Sequence, residues 1–154
     1  ICEATSGNSG ISFAMLAAER GYKMVIIMPS NMSEERKQML KFYGAELIEV
    51  GEGDFDGAIN LRDEMCENKG WFNCNQFHNE LNSQAHYIAT GPEIYNDYQQ
   101  CRGEGCSPDV FVAGTGTGGT IMGVNKFLKE LWFNMKTVAV EPAEYKGLEM
   151  VVSF

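Results

Sequence analysis

Gly114-Thr115-Gly116-Thr117-Gly118-Gly119-Thr120 joins an apolar strand-like run to a helix-like run through four glycines. We expect the preceding run, Val110 to Ala113, to form a buried strand, and Ile121 to Leu131 carries apolar residues at near-helical spacing. Glycines at a helix N-terminus leave backbone N–H groups open beside the positive end of the helix dipole. Thr117 and Thr120 add hydroxyl donors. The stretch therefore predicts a site for a phosphate or another anion.

Strands and helices alternate along the rest of the chain. Apolar runs predict strands at residues 23–29, 45–50 and 137–140, with a weaker one at 71–75. Helical patterns predict helices at residues 11–20, 34–43, 56–68 and 84–98, the second opened by a capping box at Asn31 and the last interrupted near Gly91-Pro92. This alternation is typical of a parallel α/β architecture.

Composition excludes several classes of protein. The 154 residues carry a net charge of −9 and no cluster of Lys and Arg, which argues against nucleic-acid binding. No apolar run approaches the roughly 18 residues of a membrane helix, so we expect no membrane partner. Five cysteines without a Cys-x-x-Cys pair, and two histidines, predict no metal site. We expect reduced thiols, no signal peptide and a cytoplasmic protein.

The opening stretch also fits a dinucleotide fingerprint. Gly114-x-Gly116-x-x-Gly119 lies between a strand and a helix, and Glu141 follows the next strand about 20 residues later, where a ribose-binding acid would stand. An NAD(P)-binding Rossmann module or a flavin enzyme is thus an alternative. It is weakened because several βα units precede the fingerprint, because Pro142 constrains the ribose loop, and because a second glycine turn stays unexplained.

That second turn is Thr5-Ser6-Gly7-Asn8-Ser9-Gly10, at the start of the first predicted helix. Its amides, hydroxyls and carboxamide suit a carboxylate, whereas the simpler interpretation is that Thr5, Ser6 or Ser9 only caps the helix. One turn for a phosphate and one for a carboxylate, in one small α/β chain, favour a phosphorylated cofactor that acts on an amino acid.

The chain resembles cysteine synthase (O-acetylserine sulfhydrylase) and its relatives, pyridoxal-phosphate enzymes of fold type II with a tryptophan synthase β-like fold. The matching motifs run in the family's order over nearly the whole chain: Glu3 to Ile11, Ala17 to Lys23, Met28-Pro29, Met32 to Arg36, Gly44 to Leu47, Gln76-Phe77, Thr90 to Ile94 and Gly116 to Thr120. The resemblance implies a parallel sheet with helices on both faces.

The resemblance also implies roles for single residues. The loop that holds the phosphate of pyridoxal 5'-phosphate matches Gly116, Thr117, Gly118, Gly119 and Thr120, and Asn8 matches the asparagine that bonds the cofactor's ring hydroxyl. The positions that bind the amino-acid carboxylate match Thr5, Ser6, Gly7, Ser9 and Gln76. Ser9 stands where the family commonly carries threonine, so the hydroxyl is kept and a methyl group is lost.

Two functional groups of the family have no counterpart here. The lysine that forms the Schiff base lies upstream of the Thr5 turn in the family, and the partner of the pyridine nitrogen lies beyond Phe154. We therefore expect an incomplete chain that is itself inactive. Within it we expect residues 1–8 to be a strand of the larger lobe, 9–98 a small mobile lobe, 99–106 a connection, and 107–154 the start of the larger, cofactor-binding lobe.

The implied reaction is a β-replacement that forms L-cysteine from O-acetylserine, or another activated serine, and sulfide or a thiol by way of an α-aminoacrylate. Alternatives are an L-cysteine desulfhydrase or a cystathionine β-synthase-type enzyme, and a non-catalytic fragment. We expect a transferase or lyase of amino-acid biosynthesis that is a homodimer when complete. His78 and His86 are weaker candidates for a general base, and we expect Cys74 to be a buried, inert thiol.

Overall fold

The computed structural model describes residues 1–141, which divide into two compact units. The first unit runs from Ile1 to Asn75, and the second begins at Gln76. No helix in the described range is long and apolar enough to cross a membrane.

The first unit is a three-stranded parallel sheet with three helices. Its strands are β1 (Cys2–Ala4), β2 (Val25–Pro29) and β3 (Glu46–Val50), in the order β1-β2-β3 with Glu3 opposite Ile26 and Ile27 opposite Ile48. The helices that connect and follow them are α1 (Asn8–Arg20), α2 (Glu34–Phe42) and α3 (Phe55–Lys69). Left-handed glycines at Gly21 and Gly70 end α1 and α3, which is the common glycine C-terminus of a helix.

The central strand β2 is buried on both faces. Ile26 and Met28 pack with Ala14 and Ala17 of α1 and with Leu40 of α2. Val25 and Ile27, on the opposite face, pack with Ala58 and Cys66 of α3. The two-sided burial explains why this strand is a continuous apolar run. The predicted α/β fold, with a parallel sheet and helices on both faces, is confirmed.

The second unit is built around its longest helix. Its elements are α4 (Leu81–Ala85), a π-helical turn (His86–Thr90), α5 (Gly91–Arg102), β4 (Val110–Gly114), α6 (Gly119–Leu131) and β5 (Lys136–Val140). Strands β4 and β5 pair in parallel. Val124 and Leu128 of α6 form a buried core with Trp132 and Met135, against which residues of α5 such as Tyr95 pack.

Several local predictions are wrong. Residues 71–75 form no strand; Asn73 makes one isolated bridge to Cys2. The N-cap of α2 is Ser33 and not Asn31, whose side chain accepts a hydrogen bond from the N–H of Gly53 at 3.1 Å. The helix predicted at 84–98 begins at Leu81, and a π-helical turn precedes Pro92, which stands in the first turn of α5 as expected.

The connection and the last strands also differ from expectation. Helix α5 extends to Arg102, so the first residues of the predicted connection at 99–106 are helical. Strand β4 lies where it was predicted, but it is not buried, since Val110 and Val112 are 43 % and 57 % exposed. Within the described residues, α6 covers only one face of this two-stranded sheet.

The predicted lobes do not coincide with the compact units. Strand β1, assigned to the larger lobe, pairs with β2 inside the first unit. The division between Asn75 and Gln76 falls within the range 9–98 that was predicted as the small lobe. The lobe ranges of a complete enzyme therefore stay a prediction.

A buried ion pair joins α3 to β1. The Arg62 guanidinium lies 3.0 Å from Glu3 Oε1, and the two side chains are 1 % and 0 % exposed. Arg62 also donates to Asp63 Oδ1 at 2.9 Å, and Asp63 accepts from the Asn73 side chain at 3.0 Å. A buried pair is costly to break because the remaining charge has left water.

Replacing Arg62 with methionine should lower the free energy of unfolding by about 3 to 5 kcal/mol, since Glu3 would lose its buried cation. Urea unfolding of the purified protein measures the change. Arg36→Met, the same substitution at an exposed position of α2, should change stability by less than about 0.5 kcal/mol. The double variant Glu3→Gln/Arg62→Met should recover part of the loss. Equal stability of Arg62→Met and Arg36→Met would contradict the assigned role of the pair.

Candidate cofactor and substrate sites

The Gly114–Thr120 stretch forms the turn between β4 and α6. Gly118 is the N-cap of α6 and takes a left-handed conformation with φ of 80°, which glycine adopts without strain. The N–H of Met122 donates to the Gly118 carbonyl at 2.9 Å, so the helical hydrogen bonds begin there. The main-chain amides of Gly119 and Thr120 precede that first bond and lie at the positive end of the helix dipole.

The turn has room for an anion. A Cβ added at Gly116 would meet no atom of the described residues within 4 Å, so this glycine leaves open space beside the turn. At the start of the turn, the N–H of Thr115 donates to the Val140 carbonyl at 2.9 Å, which fixes the turn to the end of β5. The Thr115 hydroxyl lies 3.4 Å from Glu141 Oε1. Open space, main-chain amides that precede the first helical hydrogen bond, and hydroxyl groups together fit a phosphate.

A cleft of about 200 Å³ in the second unit opens beside this turn. Its walls include Thr117, Gly118 and Gly119 of the predicted phosphate loop and Gln76 of the predicted carboxylate site. The structure therefore brings together residues that are about 40 positions apart in the sequence. His78 also lines the cleft.

Two further residues, Asn82 and His86, contact the turn. Asn82 was not predicted as a site residue, and His86 was predicted only as a weaker candidate for a general base. The Asn82 side chain donates to Thr117 Oγ1 at 2.8 Å and to the Gln76 carbonyl at 3.1 Å. The His86 ring lies between two hydroxyl groups, with Nε2 3.1 Å from Thr120 Oγ1 and Nδ1 2.9 Å from Thr90 Oγ1. His86 thus contacts the predicted phosphate loop.

The Thr5–Gly10 turn lies in the first unit, between β1 and α1. Thr5 is buried, and its N–H donates to the Ile27 carbonyl at 3.0 Å. Its hydroxyl accepts from the N–H of Gly7 at 3.4 Å. Gly10 is required here because an added Cβ would lie 2.7 Å from the Thr5 methyl group. The two hydrogen bonds to main-chain groups and the close approach of Gly10 therefore hold Thr5 in one position.

The simpler interpretation, in which Thr5, Ser6 or Ser9 caps α1, is wrong. The N-cap is Gly7, and none of the side chains in residues 1–141 caps this helix. Helix α1 begins at Asn8, whose side chain is exposed, while Ser6 and Ser9 are half-buried. The hydroxyl and carboxamide groups predicted to bind cofactor or substrate are thus not used to cap the helix.

Three of the five cysteines are buried. Cys2, Cys66 and Cys74 are buried in the first unit, whereas Cys101 and Cys106 are exposed. Burial raises the pKa of Cys2 to about 12 and the pKa of Cys74 to about 11, from an ordinary value of 9.0. The expectation that Cys74 is a buried, inert thiol agrees with this environment.

A strand, a glycine turn and a helix N-terminus with Thr117 and Thr120 form an arrangement that fits a phosphate group. The family model of the pyridoxal-phosphate dependent enzymes matches residues 1–152. The chain belongs to this family, so the predicted class of protein and its cofactor are confirmed. The dinucleotide alternative loses its support, because the family to which the chain belongs depends on pyridoxal phosphate.

Known relatives agree with this assignment. The chain is 46 % identical over 143 residues to a cysteine synthase of Staphylococcus aureus, covering 92 % of this chain and 44 % of that protein. A crystal structure of a hydrogen sulfide-producing enzyme from Fusobacterium nucleatum matches with a TM-score of 0.86 and 41 % identity, over 97 % of this chain and 45 % of that one. A cysteine synthase structure from Entamoeba histolytica matches with a TM-score of 0.79 and 40 % identity, over 92 % and 40 %. The chain spans less than half the length of each.

The cysteines should fall into two groups that differ in their rate of reaction with a thiol reagent. Cys101 and Cys106 should react readily with a thiol reagent at neutral pH, because they are exposed. Cys2 and Cys74 should react at least about 100-fold more slowly, since a raised pKa keeps the thiol protonated and burial blocks access. Their reactivity should rise with pH or on unfolding. Peptide mapping by mass spectrometry after timed labelling measures the rates, and faster labelling of Cys2 than of Cys101 would refute the assignment.

Proposed function

We propose that this chain is part of a pyridoxal-phosphate enzyme that forms L-cysteine from O-acetylserine, or another activated serine, and sulfide. The observation that carries the proposal is the cleft of the second unit, which is lined by Thr117, Gly118 and Gly119 of the glycine turn and by Gln76. The 46 % identity to a cysteine synthase supports the choice of reaction. It is a proposal for the whole enzyme, of which the chain matches less than half.

Five residues of the turn would hold the cofactor phosphate. The main-chain amides at the start of α6 would donate to the phosphate oxygens, and the hydroxyls of Thr117 and Thr120 would add donors. Gly116, Gly118 and Gly119 would allow close approach of the backbone. Asn8 would bond the ring hydroxyl of the cofactor. When bound, the cofactor serves as an electron sink for a carbanion at the substrate α-carbon.

The amino-acid carboxylate would be bound by Thr5, Ser6, Gly7, Ser9 and Gln76. Thr5 suits this role because the neighbouring backbone and Gly10 already fix its position, so little entropy is lost on binding. The main-chain amides near the start of α1 would add donors to the same anion. Substrate orientation, rather than proton transfer, is the contribution we assign to this turn.

Release of sulfide from cysteine is the second candidate. The similarity to a hydrogen sulfide-producing enzyme, at 41 % identity and a TM-score of 0.86, favours it as the alternative. Both reactions would use the same phosphate and carboxylate sites. A cystathionine synthase reaction, a lyase activity, a homodimer and a cytoplasmic location are further predictions for the complete enzyme.

Pyridoxal phosphate added to the full-length enzyme should produce an absorbance band at about 410 nm. Gly116→Ala should weaken cofactor affinity by about tenfold, because the added methyl group would occupy space that we assign to the phosphate. Gly51→Ala is the matched control, since its Cβ would make an ordinary contact at 3.6 Å in a loop of the first unit. A full-length enzyme that yields no band with the cofactor would refute the proposal.

Substrates then separate the two reactions. O-acetylserine should change the cofactor spectrum, and sulfide should restore it with release of cysteine. If O-acetylserine leaves the spectrum unchanged while cysteine perturbs it and sulfide is released, the synthase reaction is wrong and sulfide production replaces it.

A further inference from the structure

The Asn82 carboxamide connects two parts of the candidate site in the second unit. Its Nδ2 atom lies 2.8 Å from Thr117 Oγ1 and 3.1 Å from the main-chain carbonyl oxygen of Gln76. Thr117 belongs to the turn to which we assign the cofactor phosphate, and Gln76 is assigned to the substrate carboxylate. One amide group therefore binds a residue of each.

The chemistry of these partners fixes the direction of both hydrogen bonds. The Gln76 carbonyl oxygen can only accept, so the Asn82 atom beside it is the NH₂ group with its two hydrogens. Thr117 Oγ1 then accepts the second hydrogen. A hydroxyl that accepts through a lone pair keeps its own proton to donate elsewhere. The hydrogen bond from Asn82 thus directs the Thr117 hydroxyl to donate its proton elsewhere, as binding of an anion in the turn requires.

Packing around Asn82 explains why position 119 is a glycine. A Cβ added at Gly119 would overlap with the Asn82 side chain, whereas a Cβ at Gly116 would meet nothing within 4 Å in the part of the chain that the structure describes. Gly119 is therefore needed to seat Asn82 against the turn, and Gly116 is not. Gly119 thus has a packing role in addition to the role that we propose for all three glycines of the motif.

The main chain around Asn82 is itself fixed. The N–H of Asn82 donates to the Asn79 carbonyl at 3.0 Å, and the N–H of Leu81 donates to Asn79 Oδ1 at 3.1 Å. Helix α4 continues directly into the π-helical turn, where His86 Nε2 lies 3.1 Å from Thr120 Oγ1. One segment, residues 79–86, thus contacts the hydroxyls of Thr117 and Thr120.

We propose that Asn82 is a positioning residue that holds the Thr117 hydroxyl as a donor to the cofactor phosphate and fixes the main chain at Gln76. The inference rests on the proposed function. Asn82 acts through Thr117 and Gln76, and it takes no part in the chemical step. Its loss should weaken binding of cofactor and amino acid more than it lowers the rate of turnover.

The test uses the full-length enzyme and compares pyridoxal phosphate with pyridoxal, which lacks the phosphate. Asn82→Ala should raise the dissociation constant of pyridoxal phosphate by about tenfold, the effect of one lost hydrogen bond to a charged group. It should leave the dissociation constant of pyridoxal unchanged. A residue with a merely structural role would weaken both ligands equally, and that result would overturn the proposal.

Asn82→Asp gives a second variant of nearly the same shape. Its carboxylate cannot donate to Thr117 or to the Gln76 carbonyl, and its charge would repel the phosphate. Pyridoxal phosphate should bind more weakly to this variant than to Asn82→Ala, and the test remains available if the alanine variant does not fold. Asn96→Ala, at an exposed position of α5, is the matched control and should bind as the unmodified enzyme does.

A double-mutant cycle with Thr117→Val tests whether Asn82 acts through Thr117. Valine keeps the shape of threonine and removes the hydroxyl, so adding Asn82→Ala should then cost almost no further affinity for the cofactor. Fully additive losses would overturn the proposal. An unmodified enzyme that fails to bind the cofactor would instead refute the proposed function, whereas normal binding by both Asn82 variants would refute only this inference.

Discussion

The main-chain amides at the start of α6 are the interaction on which the account of this protein depends. They precede the first helical hydrogen bond, from Met122 to Gly118, and they lie at the positive end of a helix in a chain with a net charge of −9. An anion at this point must be attracted locally, against the field of the whole molecule. Glycines remove the side chains that would cover these amides, and threonines add hydroxyl donors.

Each turn is held by contacts that were not apparent in its own motif. The Thr5–Gly10 turn follows β1, which pairs with the fully buried β2 and carries Glu3, the partner of Arg62. In the second unit, Asn82 and His86 belong to a neighbouring helical segment. They form hydrogen bonds with Thr117 and Thr120 of the Gly114–Thr120 turn, respectively. The groups on these two turns that we propose to bind cofactor and substrate are thus positioned by hydrogen bonds and buried contacts outside their own motifs.

The sequence predicted the elements whose signals are local. The continuous apolar run at β2, the glycines that end α1 and α3, and the strand before and helix after Gly114–Thr120 all depend on neighbouring residues, and each was located correctly. The family was also predicted correctly, because its motifs occur in order along the chain.

The errors arose where tertiary contacts decide the structure. A polar asparagine in a short helix carries no signal that it will reach a residue 35 positions away, as Asn82 does with Thr117. The capping box predicted at Asn31 was wrong. The Asn31 side chain accepts a hydrogen bond from Gly53, in the loop after β3. Strand β4 has the composition of a buried strand, but one of its faces is exposed in the described part of the chain. Burial of a strand depends on what packs against it.

The most direct measurement is a crystal structure of the full-length enzyme with pyridoxal phosphate bound. We predict that the phosphate oxygens lie within about 3 Å of main-chain nitrogens between Gly116 and Thr120 and of the Thr117 hydroxyl. We also predict that Asn82 still donates to Thr117 in that complex. A phosphate bound away from this turn, or a turn occupied by Glu141 or another side chain of the protein, would contradict the account.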